Sequence, residues 1–520
     1  MPRFGRLFCA LLLIAGTVSP ARSAQQPSLS ATGHESRVDL TWTPLATGAE
    51  RYTIERAEKP SGPFTVIAQG YRPSEYSDFL GTNGQSYSYR ITLEAGKGGP
   101  AMKSTTATAT PAAMTDDQLL TSVQAATFRY FWQGAHPVSG LIRERSNFDP
   151  KCATGGTGFG IYAIIIGSER HFITRPEAAA RVQKIFSFLE DKAERYHGAF
   201  SHWIDGETGK TRPFSEFDDG ADLLETALLM QGVLAARQYF NRNEAVERDI
   251  HLRADRLWKA VDWSWFLKES GGKSLYWHWS PNFGWKKNLR ITGWNEGMIA
   301  YLLAIASPTH PIPSDCYALG WASSKHYANG KEYYGLRQSV GSSMGQPLFF
   351  TQYSFIGFDP RGKSDAYCDY FANNRNTTLI HRAYAIDNPG KHAGYGENVW
   401  GLTPSIGPDR YQPSAPGKKD FGTIAPTACL SAMPYAPKES MAALRHLYKN
   451  YGLKLWGEYG FRDAFNPELD WYAQSYLAID QGPIIAMIEN HRTGLCWKLF
   501  MDNPEIAPML AKVGFKGHKR

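Results

Sequence analysis

Cysteine is scarce in this chain, with six in 520 residues. Cys9 falls in an amino-terminal leader. The other five, Cys152, Cys316, Cys368, Cys429 and Cys496, have neither the spacing of a metal motif nor the density of a disulfide framework. Their scatter leaves room for one or two disulfides in an oxidising compartment, with the pairing open. No later run approaches the ~20 apolar residues of a membrane span. A clustered basic stripe is also missing. Of the net charge of +7, three charges are Arg3, Arg6 and Arg22 of the leader, so nucleic acid is not an expected partner. There is no phosphate-binding glycine loop and no Ser-His-Asp order. His136, His202, His278 and His392 are too scattered to read as metal ligands and are taken as substrate or core contacts.

What is present starts with that leader: Arg3 and Arg6, the apolar run Leu7 to Ala15, then small residues as far as Ala24. Residues 1–24 read as a secretory signal peptide, which implies export to the periplasm or the medium. Aromatic residues make up 13% of the chain, with 15 tryptophans, which suits a site that stacks flat sugar faces; a large helical core would also consume them. A chain this long predicts at least two domains, or a large helical barrel with an appendage. Over residues 25–111 the apolar period is two, in Val38 to Trp42, Tyr52 to Arg56, Phe64 to Ile67 and Tyr87 to Ile91. That pattern predicts a small antiparallel β-sandwich. These strands resemble a fibronectin type III domain, in which the tryptophan and tyrosines are core.

From Thr115 the period changes. Thr115 and Gln118 have capping-box form and open a helix through Trp132. Helical patterns follow at about residues 159–166, 175–196, 219–240, 244–267, 294–305, 438–451 and 471–492, joined by long Gly-, Pro- and aromatic-rich loops. Many helices without interleaved strands over residues 115–515 predict a mainly α domain of paired helices, an α/α barrel.

Three groups of carboxylates carry the chemistry. Asp218, Asp222 and Glu225 are four and three apart, a spacing that stacks them on one helix face, where like charges repel by ~0.2–0.5 kcal/mol per pair. A substrate rich in hydroxyl donors would offset that repulsion, because ionised carboxylates only accept hydrogen bonds. The structural alternative is that Glu216, Asp218 and Asp219 are ordinary first-turn acids favoured by the helix dipole. Further on, the run Leu275 to Trp285 holds five aromatics and His278, just ahead of Gly293-Trp294-Asn295-Glu296. A carboxyl beside Trp294 at a helix start is placed to have a raised pKa and to act as a general acid, unless the dipole alone explains it. Near the carboxyl terminus stand Asp463, Asp470 and Asp480, with Pro483 expected to break or kink a helix and turn Asp480 toward a cavity. The alternative there is an acid capping the helix that follows.

Several ordered segments resemble the glucoamylase-like domain of glycoside hydrolase family 144. They are Thr127 to Trp132, His136 to Leu141, the Asp218/Asp222/Glu225 stretch, Gly293 to Glu296, Glu397 to Thr403 and Ile479 to Pro483. The resemblance implies an (α/α)6 barrel and inverting, cofactor-free hydrolysis of β-1,2-glucan to sophorose and longer oligosaccharides. It makes Glu296 the general acid and Asp480 the match for the base. Asp218, Asp222 and Glu225 would bind sugar hydroxyls, with Trp294, His278, Trp279, Glu397 and Trp400 as further substrate contacts. Pro404 and Ile406 stand where the family pattern has Ala and Asp, which leaves the cleavage mode open. The expectation is an endo-acting monomer. Exo release of sophorose is the alternative within the class, and a non-catalytic glycan-binding protein the alternative outside it.

Overall fold

The computed structural model describes residues 28–43, 51–94, 102–146, 149–341, 343–344 and 346–517; the expected leader, with Cys9, lies outside them. The chain divides into two compact units, one comprising Met1–Asp78 with Thr82–Ala112 and a second that includes Ala113–Arg520.

The first unit is built from the period-two segments. One antiparallel sheet has the order β1-β2-β5, from Leu29–His34, Arg37–Trp42 and Glu75–Phe79. The other has the order β4-β3-β6-β7, from Thr65–Tyr71, Tyr52–Ala57, Tyr87–Leu93 and Met102–Lys103, with β8 (Ala107–Ala109) also paired to β6. Alternation puts Val38, Leu40 and Trp42 of one sheet and Tyr52, Ile54, Tyr89 and Ile91 of the other in the interior. Trp42 meets Tyr52 edge to face at 5.2 Å, so the two sheets face each other. Trp42, Tyr52 and Tyr89 are core, as expected, whereas Tyr87 is only partly buried.

The second unit is mainly helical. Its helices are α1 Asp116–Gln133, α2 Thr154–Glu169, α3 Arg175–Asp191, α4 Leu223–Tyr239, α5 Ala245–Ala260, α6 Met298–Ala306, α7 Tyr370–Asp387, α8 Pro426–Leu430, α9 Pro437–His446, α10 Gly452–Leu455, α11 Ala478–Arg492, α12 Leu495–Met501 and α13 Ile506–Val513. The capping box opens α1 as the residues predict, Thr115 accepting from the Gln118 amide and Gln118 from the Thr115 amide. Helices α2, α4, α6 and α11 are buried nearly all round, whereas α3, α5 and α9 bury one stripe. That contrast separates an inner layer from an outer one. Within it α2 packs on α4 and α11, and α3 on α5. The α2–α4 crossing depends on glycine: a Cβ on Gly158 would lie 2.3 Å from the Leu228 carbonyl oxygen, and one on Gly232 2.3 Å from that of Gly158.

Several helix ends differ from expectation, and the site depends on them. Ala221–Asp222 pairs as a short strand with His278–Trp279, so α4 starts only at Leu223. Asp218 then lies in the preceding turn, bridged to Ser215, and Asp222 is the N-cap. The three acids therefore do not stack on one helix face. Glu296 precedes α6, whose N-cap is Gly297, so it is not a first-turn acid. Trp471–Tyr472 pairs with Phe465–Asn466, and α11 begins later, at Ala478. Pro483 sits inside α11 instead of breaking it; so near the start it removes a single intrahelical N–H bond. Helix α3 stops at Asp191, and α5 stops at Ala260 ahead of a 3-10 turn, Trp263–Leu267. The five described cysteines are free thiols, so the disulfides allowed by the sequence are not formed. No described helix is long and apolar enough to cross a membrane.

Candidate active site

The strand pair that shortens α4 also assembles the first part of the site. Asp222, fully buried, caps α4 with Oδ1 on the Glu225 amide at 3.0 Å. Its Oδ2 receives His202 Nδ1 at 2.9 Å and has His278 Nε2 at 3.5 Å. His278 Nε2 also lies 3.2 Å from Asp218 Oδ2, which accepts from Lys287 Nζ at 2.8 Å. Each carboxyl of the cluster meets cationic partners. Burial opposes ionisation of Asp222, but the two imidazoles hold its carboxyl well below the usual range. Burial likewise opposes the charged His202, and Glu225 and Asp222 overcome it, raising the imidazole to about 9. His278 is raised in the same way by Asp218 and Asp222. His202, Asp218 and Asp222 present ligand atoms within 4.8 Å of one another, close enough for a divalent cation. Lys287 and His278 already bring N–H groups to those oxygens, which makes a hydrogen-bonded cluster the better description.

Beyond this cluster is a cavity of about 150 Å³ whose walls include His202, Glu225, Trp277, Glu296, Tyr353, Pro404 and Tyr411. Glu225 accepts from the Gly155 amide at 2.6 Å, one of the free N–H groups at the start of α2. Burial pushes Glu225 up to about 7 and Glu296 also to about 7. Two carboxyls in one cavity are thus poised to hold protons near neutrality, the condition for general-acid work.

Two more buried acids adjoin the cavity without being among its lining residues: Asp480 follows the wall residue Ile479, and Asp463 lies beside the hairpin of Ser405–Ile406 and Tyr411–Gln412. Asp463 and Asp480 are each 1% exposed, with their carboxyls within hydrogen-bonding reach of one another. Asp463 Oδ2 accepts from the Ile406 amide at 2.7 Å. Burial raises Asp463 to about 6, and burial together with Asp463 pushes Asp480 well above the carboxylate range.

Of the residues singled out from the sequence, the structure gathers Glu225 and Glu296 on the cavity wall and Asp218, Asp222 and His278 in the cluster beside it. Trp294 is buried and stacks on Tyr370 at 5.8 Å. Trp279 is half-buried against His197 and Trp265. Trp400 is enclosed in a hydrophobic cluster with Val399, Leu402 and Cys429. The Glu397 side chain is 67% exposed and paired with Arg382. Neither Glu397 nor Trp400 lines the cavity. Trp277, Phe349, Tyr353 and Tyr411 do, and sequence reasoning did not single them out. Trp277 was within reach, being part of the aromatic run before Glu296; Tyr353 sits in a loop and Tyr411 in a two-residue strand, neither with a local signal.

The family model described as "Glycoamylase: Putative glucoamylase" matches residues 288–504. The chain is 44% identical to the exo β-1,2-glucooligosaccharide sophorohydrolase (non-reducing end) of Parabacteroides distasonis, over 93% of this chain and 70% of that protein. The crystal structure of β-1,2-glucanase from Parabacteroides distasonis superposes with a TM-score of 0.89 at 44% identity, covering 94% of this chain and 73% of the other. The endo-β-1,2-glucanase from Chitinophaga pinensis, solved with sophorotriose and glucose, gives a TM-score of 0.76 at 46% identity over 78% of this chain and 99% of that one. On identity and coverage of this extent, the chain belongs to the glucoamylase-like glycoside hydrolases of family 144.

Proposed function

We propose that this protein is an exported, monomeric hydrolase that cleaves β-1,2-glucan with inversion, its helices paired as an (α/α)6 barrel around the cavity. The observation that carries the reading is Glu296, a carboxyl raised by burial to about 7 on the wall of a cavity that also holds Glu225 and two tyrosines. A protonated carboxyl there can donate to the glycosidic oxygen as its bond to the anomeric carbon breaks. Asp480 takes the part of the base that accepts the proton of the attacking water. The cluster of Asp218, Asp222, His202 and His278 offers acceptors and donors to sugar hydroxyls. The inner and outer helix layers support the barrel, the leader supports export, and the similarity to the two named relatives supports the β-1,2 linkage.

Two cleavage modes have specific support. The endo mode expected from the motifs is supported by similarity to the Chitinophaga pinensis protein. Exo release of sophorose is supported by similarity to the Parabacteroides distasonis protein that extends over 93% of the chain. The deciding experiment is a product time course on linear β-1,2-glucan, with starch and β-1,3-glucan alongside, resolved by chromatography. A spread of sophoro-oligosaccharides at the earliest points establishes endo cleavage, and sophorose alone from the start establishes exo release. Absence of any β-1,2 product would remove the substrate assignment.

A further inference from the structure

Asp463 is a buried acid with no part in the reaction as set out above. Its neighbour Asp480 is equally buried, and among the described residues no N–H or hydroxyl group donates to either Asp480 oxygen or to Asp463 Oδ1. Among the described residues no lysine, arginine or histidine is paired with either carboxyl. The charged and titratable groups facing the pair are Glu144, Arg145, Tyr130, Tyr353 and Tyr411, and of these Glu144 is itself an acid with a buried, unpartnered Oε2. Two bare carboxylates side by side in such surroundings would each lack solvation and repel one another. A single proton held between them removes both problems and supplies the donor that the Asp480 oxygens lack.

We propose that Asp463 is a positioning residue for the reaction: it shares one proton with Asp480, so that the two carboxyls act as one base carrying a single negative charge. In the step this implies, the glycosidic oxygen takes the Glu296 proton as its bond to the anomeric carbon breaks. The water oxygen forms the new bond to that carbon, and the proton it releases passes to the pair. Glu296 ends as a carboxylate and the pair ends neutral, so charge and protons balance. Asp463 is anchored for this by the Ile406 amide, on the hairpin that also carries Tyr411 into the cavity wall.

The inference rests on Asp480 being the base, and the test separates the two. The pH profile of kcat/KM on a β-1,2-linked glucooligosaccharide is measured for the full chain and for Asp463→Asn, Asp463→Ala and Asp480→Asn. Asn at 463 keeps an acceptor for the Ile406 amide and an N–H to offer Asp480; Ala keeps neither. The acid limb is expected to rise in the order wild type, Asp463→Asn, Asp463→Ala, by about one pH unit overall, because each step weakens the hydrogen bond to the ionised Asp480. At its own optimum Asp463→Asn should stay within ~10-fold of wild type and Asp463→Ala should fall ~100-fold. Activity lost in these variants with the acid limb unmoved would make Asp463 a structural residue and overturn the proposal, as would wild-type profiles in both. Where Asp463→Ala fails to fold, the limb of Asp463→Asn decides. Wild-type turnover in Asp480→Asn would instead remove the base itself, and the shared proton with it.

Discussion

A carboxyl that is to protonate a leaving oxygen must keep its proton near neutrality, and Glu296, the acid proposed above, is suited to this because burial on the cavity wall raises it to about 7. Its residue type and its place beside Trp294 were legible in the chain; its exact setting was not, because Glu296 lies ahead of α6 and has no dipole explanation. Glu296→Gln is expected to lower kcat by at least ~10³-fold while calorimetry shows sophoro-oligosaccharide binding changed by only a few-fold. In the wild type, kcat/KM should fall as pH rises through about 7, where Glu296 and Glu225 lose their protons. Full activity in the Gln variant would take the acid role from this residue. At the same scale, spacing suggested that Asp218, Asp222 and Glu225 act together, and they do lie close. Their arrangement differs, because His278 pairs across from Asp222 in a strand register that no local pattern announces.

At the scale of elements, the existence of the long helices followed from apolar period and capping chemistry, as at Thr115. Their first residues did not, because a two-residue strand pair costs little sequence signal yet displaces a helix start. The closeness of α2 and α4 is the element-level feature on which the site depends, since it brings the Gly155 amide to Glu225. Gly158→Ala places a Cβ against the Leu228 carbonyl, a backbone atom that cannot rotate away. The variant should lose ~1–3 kcal/mol, read as a thermal midpoint lower by several degrees and accompanied by reduced turnover. An unchanged midpoint would mean that the crossing has slack. Trp400 illustrates the opposite case: a motif residue that resembled a substrate contact sits in a core cluster, where its size is used for packing.

For the whole molecule, the raised buried acids and histidines make stability fall as pH rises above the ordinary carboxylate range. Glu225 and Glu296 rise from 4.5 to about 7 on folding, so between those values the unfolded chain has lost protons that the folded chain retains, and stability falls as pH increases. His202, raised from 6.5 to about 9, adds stability below 6.5 that is lost as pH climbs through 9. Asp222 acts oppositely, contributing above 3.8 and losing its contribution in acid. The thermal midpoint should therefore peak near pH 4–5 and decline toward pH 9, a change on the order of several kcal/mol. Glu296→Gln should flatten that decline and be more stable than wild type at pH 8. A midpoint that rises from pH 5 to pH 8.5 would contradict the burial of these groups.

Sequence alone determined the two-part organisation and the mainly helical second unit, and it picked out the acids proposed for the chemistry, because period, caps and ordered motifs are local properties of the chain. Tertiary structure alone decided which carboxyls share a cavity, which histidines neutralise Asp222, and that Asp463 lies against Asp480 while Glu397 and Trp400 stay away. Those outcomes depend on pairings such as Asp222 with His278, and on burial that sets each proton affinity. Neither quantity exists until distant segments have packed.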